Sequence, residues 1–157
     1  MRSLGRVDRV AAGAVGPPGR RTFYLEVVGP AGTEWFVVEK EQLATLAAHG
    51  LELIGEPPEA SPASTPSPAP QGEPSFRVGE IGLGADEGEM VVLLSPTEET
   101  GTAEPVAFTV GAADFAAMAR LALAVVAAGR PVCRLCGHPM DPEGHSCPGG
   151  NGDLRRR

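Results

Sequence analysis

The chain has 157 residues, a formal net charge of −7 and 42% apolar residues. That length allows one or two small domains with one modest core, and the acidity argues against a surface that follows nucleic-acid phosphates. With one Trp, one Tyr and five Phe, few aromatic rings are available for stacking on bases or sugars.

The N-terminal segment does not resemble a signal peptide, because Arg2, Arg6 and Arg9 interrupt any apolar stretch. The longest apolar run, Leu121 to Ala128, is too short to cross a bilayer. The three cysteines lie in the last quarter of the chain, which favours metal binding in a reducing compartment over disulfides. We therefore expect a cytoplasmic protein with no membrane partner.

Residues 1–55 predict three strands and a helix. Alternating segments begin at Arg9-Val10 and continue, after turns, through residues 23–25 and 35–38. Leu43, Leu46 and Ala47 then keep helical spacing, and Gly50 is the predicted end of this helix.

Residues 56–74 separate this unit from the rest of the chain. Seven of these nineteen residues are proline and the others are mostly small or acidic. Such a segment buries too little apolar surface to offset its ordering entropy, so it predicts a semi-extended linker.

Residues 75–130 repeat the same order of elements. Arg77-Val78 and residues 91–93 match Arg9-Val10 and residues 23–25 at one constant offset, and a third strand follows at 107–110. A helical stripe closes this unit, with Gly129 as its predicted end, and consists of Phe115, Met118, Leu121, Ala122 and Val125. The pattern predicts an α+β fold in which two pseudo-symmetric βββα repeats share one core.

Several glycines invite comparison with a phosphate-binding loop. Gly13, Gly16 and Gly19 are evenly spaced, and Gly82 and Gly84 form a Gly-x-Gly. A dinucleotide site would need a helix directly after such a loop, whereas both sets are followed by a predicted strand. We interpret these residues as hairpin glycines.

Residues 131–157 contain a metal-binding pattern. Cys133 and Cys136 form a C-x-x-C, and after eight intervening residues His145 and Cys147 form an H-x-C. Three thiolates and one imidazole complete a closed tetrahedral zinc site, so these four residues are the predicted ligands of a structural Zn²⁺ in a knuckle or ribbon-like module. His138 is a competitor for the fourth position, and a thiol redox pair is the alternative interpretation of the cysteines.

Four strings carry a resemblance to a known family: RVAAGAVGPPGRRTFYL, VEKEQLATLA, FRVGEIGLG and GRPVCRLCGHPMDPEGHSC. They resemble an uncharacterised family of high-GC Gram-positive bacteria, called a "repeat protein" or a domain of unknown function. The resemblance extends over nearly the whole chain outside the linker, which is shorter here. It implies that Cys133, Cys136, His145 and Cys147 are the family's C-x-x-C and H-x-C, and that the protein is bacterial and cytoplasmic with no established activity.

Three functional hypotheses follow from these patterns. The first is a non-enzymatic module that binds another protein or a small ligand, with zinc stabilising the tail. The second is a metal-dependent enzyme with an acidic site between the repeats, whose carboxylates would come from Asp86, Glu87, Glu89, Glu98, Glu99, Glu39 and Glu41. The third is a transcription or nucleic-acid-associated zinc protein, which the acidic composition disfavours.

Overall fold

A computed structural model describes residues 1–17, 19–55, 70 and 72–128. Over these residues the chain is α+β, with two sheets and two helices. The predicted zinc ligands, nearly all of the predicted linker and the predicted helix end at Gly129 lie outside the described residues.

The elements follow one another in a simple order. Four strands precede the first helix and three precede the second, with bounds β1 Arg2–Arg6, β2 Arg9–Val15, β3 Thr22–Gly29, β4 Gly32–Val38, α1 Lys40–Ile54, β5 Val78–Asp86, β6 Glu89–Pro96, β7 Val106–Gly111 and α2 Ala112–Ala127. A one-turn 3₁₀ helix lies at Glu98–Thr100. The six predicted strands and both predicted helices are present, whereas β1 was not predicted.

The three-stranded sheet is antiparallel, in the order β2-β3-β4. Ala12 lies opposite Leu25, and Leu25 lies opposite Phe36. Because side chains alternate across a strand, these three residues share one face, and all three belong to the hydrophobic core. α2 packs against β2, so the sequence alternation that predicted these strands also identifies the face that a helix covers.

The four-stranded sheet has the order β1-β7-β6-β5. Strands β5, β6 and β7 are antiparallel, and β1 adds to β7 in parallel. A turn at Glu87-Gly88 joins β5 to β6, with φ of 47° and 81° at the two residues. Positive φ at both positions is typical of a type I′ turn, the hairpin that twists as the sheet does.

The two sheets are joined edge to edge at two points. At the first, Val7 N–H donates to the carbonyl oxygen of Thr109 and Asp8 N–H donates to that of Val28, both at 2.8 Å. Consecutive residues therefore bond to different sheets. At the second, Val37 and Arg77 form a parallel bridge between β4 and the start of β5.

One hydrophobic cluster draws residues from both sheets and both helices. α1 and α2 pack against each other at Gly50, where an added Cβ would lie 2.0 Å from Cε1 of the buried Phe115. The prediction that Gly50 ends α1 is therefore wrong. The helix continues to Ile54, and Gly55 ends it with a φ of 77° and an N–H that donates to the carbonyl oxygen of Leu51.

The hairpin interpretation holds for part of the glycines. Gly16 and Gly19 lie in the connection between β2 and β3. Gly13, Gly82 and Gly84 lie inside β2 and β5, so for these three the hairpin interpretation is wrong. Gly13 is close to the Tyr24 ring, where a Cβ would lie 2.3 Å from the phenolic oxygen.

Candidate binding groove between α1 and β5

A groove of about 390 Å³ lies between α1 and the edge strand β5. Five residues of the helix and four of the strand line it: Glu41, Gln42, Thr45, Leu46, His49, Gly79, Glu80, Ile81 and Leu83. The lining residues extend from Glu41 to His49 on α1 and from Gly79 to Leu83 on β5, so the helix and the strand border the groove along its length.

Gln42 fixes the two walls relative to each other. Its Oε1 accepts a hydrogen bond of 2.8 Å from the N–H of Glu39, which precedes the helix. Its Nε2 donates to the carbonyl oxygens of Val78 and Gly79, both at 3.2 Å. One side chain therefore caps the first turn of α1 and ties it to the first residues of β5.

The floor of the groove is apolar. Ile81 and Leu83 lie opposite Leu94 and Val92 in the register with β6, and both partners are buried in the core. Ile81 and Leu83 face the same side of the sheet but are only half-buried, whereas Leu46 of the helix is buried. The described residues thus leave apolar surface at the margin of the core exposed along this groove.

The rim of the groove is polar and acidic. Glu41 and Glu80 are exposed on opposite walls, and Thr45 and His49 are exposed on the helix. The nine lining residues include no lysine or arginine. A bound group would therefore meet apolar surface at the floor and negative charge at the rim.

The backbone of β5 forms an edge of the four-stranded sheet. Beyond the bridge at Arg77 and the two carbonyl groups bonded by Gln42, the described part of the chain places no strand beside residues 80–86. Alternate N–H and C=O groups of an edge strand point away from the sheet and are open to pairing.

The acidic residues of the enzyme hypothesis do not form a common site. Glu89 is paired with Arg6, and Glu39 is paired with Arg77 at 2.9 Å. Within residues 1–17, 19–55, 70 and 72–128, no group of three His, Cys, Asp or Glu side chains is placed to hold a metal ion.

Arginines near the N-terminus form further ion pairs between elements. Arg2 Nη2 lies 2.6 Å from Glu34 Oε1, and the Ser75 hydroxyl donates to the same oxygen at 2.8 Å. The hydrogen bond from Arg2 holds the pKa of Glu34 below its usual value, against the opposing effect of burial. These arginines are partly neutralised, so they add little to a phosphate-binding surface.

The face of the three-stranded sheet opposite the hydrophobic core carries a buried polar cluster. The Glu26 side chain is only 4% exposed, and its Oε1 lies 3.4 Å from Arg9 Nη2. Tyr24 and Trp35 meet edge to face with ring centroids 6.2 Å apart. Burial is the main cause that raises the pKa of Tyr24, and the negative charge of Glu26 adds to it. The side chains of this cluster come from all three strands and link them on the face opposite the core.

Cys133, Cys136, His145 and Cys147, together with the competitor His138, lie outside the described residues, so the zinc site stays a prediction. In the part of the chain that the structure describes, no helix is long and apolar enough to cross a membrane. The sequence did not predict the groove. The sequence signal for the groove is limited to the apolar residues Ile81 and Leu83 at alternate positions of β5, after Glu80.

A family model described as "Protein of unknown function (DUF3090)" matches residues 3–147. This match spans both sheets, both helices and the four predicted zinc ligands. No curated protein matches the chain, and no solved structure matches it.

Proposed function

We propose that this chain, which belongs to the DUF3090 family of proteins of unknown function, is a non-enzymatic binding module. The α1–β5 groove would hold a segment of another protein or a small ligand. The observation that carries the proposal is the groove itself, since its volume of about 390 Å³ lies in the range of ligand sites, about 300–1,000 Å³, and it combines an apolar floor with a few polar groups.

The ion pairs support a binding role over the acidic-site enzyme. Arg6 and Arg77 neutralise Glu89 and Glu39, which that hypothesis would use as ligands or bases. A carboxylate that is paired with an arginine has a positive charge beside it, which makes it a poorer ligand for a metal cation.

We also propose that the two halves are repeats of one βββα unit, over residues 1–55 and 75–130. The order of elements supports this division, because β2, β3, β4 and α1 in the first half correspond to β5, β6, β7 and α2 in the second. A three-stranded sheet with one helix is marginal alone, so each unit would gain its core from the other.

The third part of the proposal is a structural Zn²⁺ in the C-terminal segment, held by Cys133, Cys136, His145 and Cys147. The donor set supports zinc because Cys₃His is a closed tetrahedral set. The segment from 131 to 157 has few apolar residues, so metal binding would supply the free energy that orders it.

The zinc proposal predicts that Cys133→Ser and Cys147→Ser lower the zinc content well below one ion per chain. Each substitution removes a thiolate from the four-ligand set. Elemental analysis of the purified proteins, with His138→Asn as the matched control, measures the effect. If both serine variants keep a full complement of zinc, or if His138→Asn loses it, the ligand assignment is wrong.

The groove is tested by affinity capture of the tagged protein from its native cells, followed by mass spectrometry. Thr45→Arg places a long cation in the groove from an exposed helix position, and Ala48→Arg adds the same side chain at an exposed position of α1 outside it. We expect a specific partner or co-purifying ligand to be lost with Thr45→Arg and kept with Ala48→Arg. Equal recovery of the partner or ligand with the wild type, Thr45→Arg and Ala48→Arg would contradict the groove as the binding site.

A further inference from the structure

We infer that the occupant of the α1–β5 groove is an extended basic segment of a partner protein, which pairs with β5 as an additional strand. This inference rests on the proposed binding function and names the class of partner. Three observations support it: among the described residues no strand pairs with the outer edge of β5 at residues 80–86, its side chains alternate between two faces, and the rim of the groove is acidic.

β5 is the better edge of its sheet for accepting a strand. Its pairing with β6 is regular from Glu80 to Asp86. The opposite edge, β1, has five residues and a register shift between Ser3 and Gly5. Short strands and bulges protect a sheet edge from pairing. Of the two edges of this sheet, β5 is therefore the one that the described residues leave available.

The side-chain faces of β5 predict an alternating pattern in the added strand. Ile81 and Leu83 face the core side of the sheet, beside Leu46 of α1. A paired strand would send every second side chain to that same side, where it would cover the half-buried apolar surface. The recurrent mode of adding a strand to a sheet edge works in this way, with main-chain bonds for affinity and pockets for alternate side chains.

The remaining side chains of the added strand would meet negative charge. Glu80 alternates with Ile81 and so faces the other side of the sheet, while Glu41 borders the groove from the helix. Neither wall contributes a lysine or arginine, and the whole chain carries a net charge of −7. Complementarity therefore favours lysine or arginine between apolar residues, and it disfavours a second copy of this acidic chain.

The probe for this inference is a library of random linear decapeptides displayed on phage. It is selected on the full-length protein and depleted on the Thr45→Arg variant. We expect enrichment of peptides in which apolar residues alternate with lysine or arginine. Failure to enrich any peptide, or enrichment of acidic peptides, would overturn the inference.

Strand pairing is tested on one selected peptide with N-methyl groups on alternate backbone amides. In a strand, alternate N–H groups point to the same edge, so one methylated set faces β5 and the other faces away. We expect one set to weaken binding at least tenfold and the other to leave it within twofold. Equal effects of the two sets would show that the peptide does not bind as a strand.

The charge is tested with Glu80→Gln and Glu41→Gln, and Glu99→Gln is a matched control at an exposed position outside the groove. Each groove substitution should weaken the selected peptide about two- to fivefold, as expected for an exposed ion pair, and the control should not. Unchanged affinity in both groove variants would remove the basic character from the inference.

The outcomes separate this inference from the proposed function. If Thr45→Arg abolishes capture of a cellular partner while the peptide experiments fail, the groove binds something other than a basic strand. If capture is unaffected by Thr45→Arg, the proposed function itself fails. A concentration-dependent dimer in sedimentation that Thr45→Arg dissociates would make a second copy the occupant and overturn the inference.

Discussion

Gly50 sets the separation of the two helices at the centre of the core. The residue is buried in α1, and the ring of Phe115 from α2 occupies the space where its side chain would be. A glycine inside a helix costs about 1 kcal/mol relative to alanine. The close packing of the two helices offsets that cost here.

We expect Gly50→Ala to destabilise the protein by about 1–2 kcal/mol, because the overpacked methyl group outweighs the gain in helix propensity. Urea unfolding measures the change in the free energy of unfolding. Thr45→Ala, at an exposed position of the same helix, is the control and should be neutral or stabilising. A Phe115→Leu background should reduce the cost of Gly50→Ala, and an equal cost in both backgrounds would contradict the contact.

Glu34 makes the stability depend on pH. The hydrogen bond from Arg2 lowers the pKa of Glu34 below its usual value. Its stabilising effect is therefore fully present above the unfolded-state pKa and is lost as the pH falls through the lowered folded-state pKa. Because Arg2 is partly exposed and screened, we expect Glu34→Gln to cost about 0.3–1 kcal/mol at neutral pH. Urea unfolding at several pH values should show this difference vanishing in acid, and a difference that grows in acid would contradict it.

The β5–β6 hairpin contains an unfavourable residue at a position that needs a positive φ. Glu87 has a φ of 47°, in the left-handed region that costs an L-residue about 1–2 kcal/mol and that asparagine tolerates better. The turn residues Glu87-Gly88 have the conformation for which Asn-Gly is the preferred sequence.

Glu87→Asn should therefore stabilise the protein by about 0.5–1 kcal/mol, as part of the left-handed cost is recovered. Thermal unfolding monitored by circular dichroism provides the measurement. Glu99→Asn removes the same charge at an exposed position outside the hairpin and controls for electrostatics. An equal gain in both variants would assign the effect to charge and not to the turn.

Most elements could be predicted because their local pattern and their burial agree. In β7, Phe108 and Val110 occupy every second position, and both are buried in the core. β1 could not be predicted, since the sequence RSLGR has one apolar side chain and its pairing depends on β7, far along the chain. The prediction that α1 ends at Gly50 is wrong because the sequence does not distinguish a glycine that ends a helix from one that makes room for a neighbouring ring.

The two halves of the chain are held together by backbone and side-chain contacts. β1 belongs to the first half of the chain but pairs with β7 of the second. α2 packs against both α1 and β2. The groove depends on how α1 lies beside β5, which no local pattern encodes, and for that reason the sequence did not predict it.

A fragment of residues 1–55 should lack a cooperative unfolding transition, because it has lost β7, α2 and the partner of Gly50. Circular dichroism during urea titration tests this, and mixing with a fragment of residues 72–157 should restore the transition. A cooperative transition of the monomeric 1–55 fragment alone would contradict the shared core.

The parallel pairing of β1 with β7 also sets an order of events during synthesis. Arg2 is paired with Val106, so the ribosome must translate the whole intervening chain before this pair can form. At about 5–20 residues per second, that interval is roughly 5 to 20 seconds. We expect the nascent β1 to wait with its backbone unpaired while β2, β3 and β4 emerge, and to dock only when β7 has left the exit tunnel.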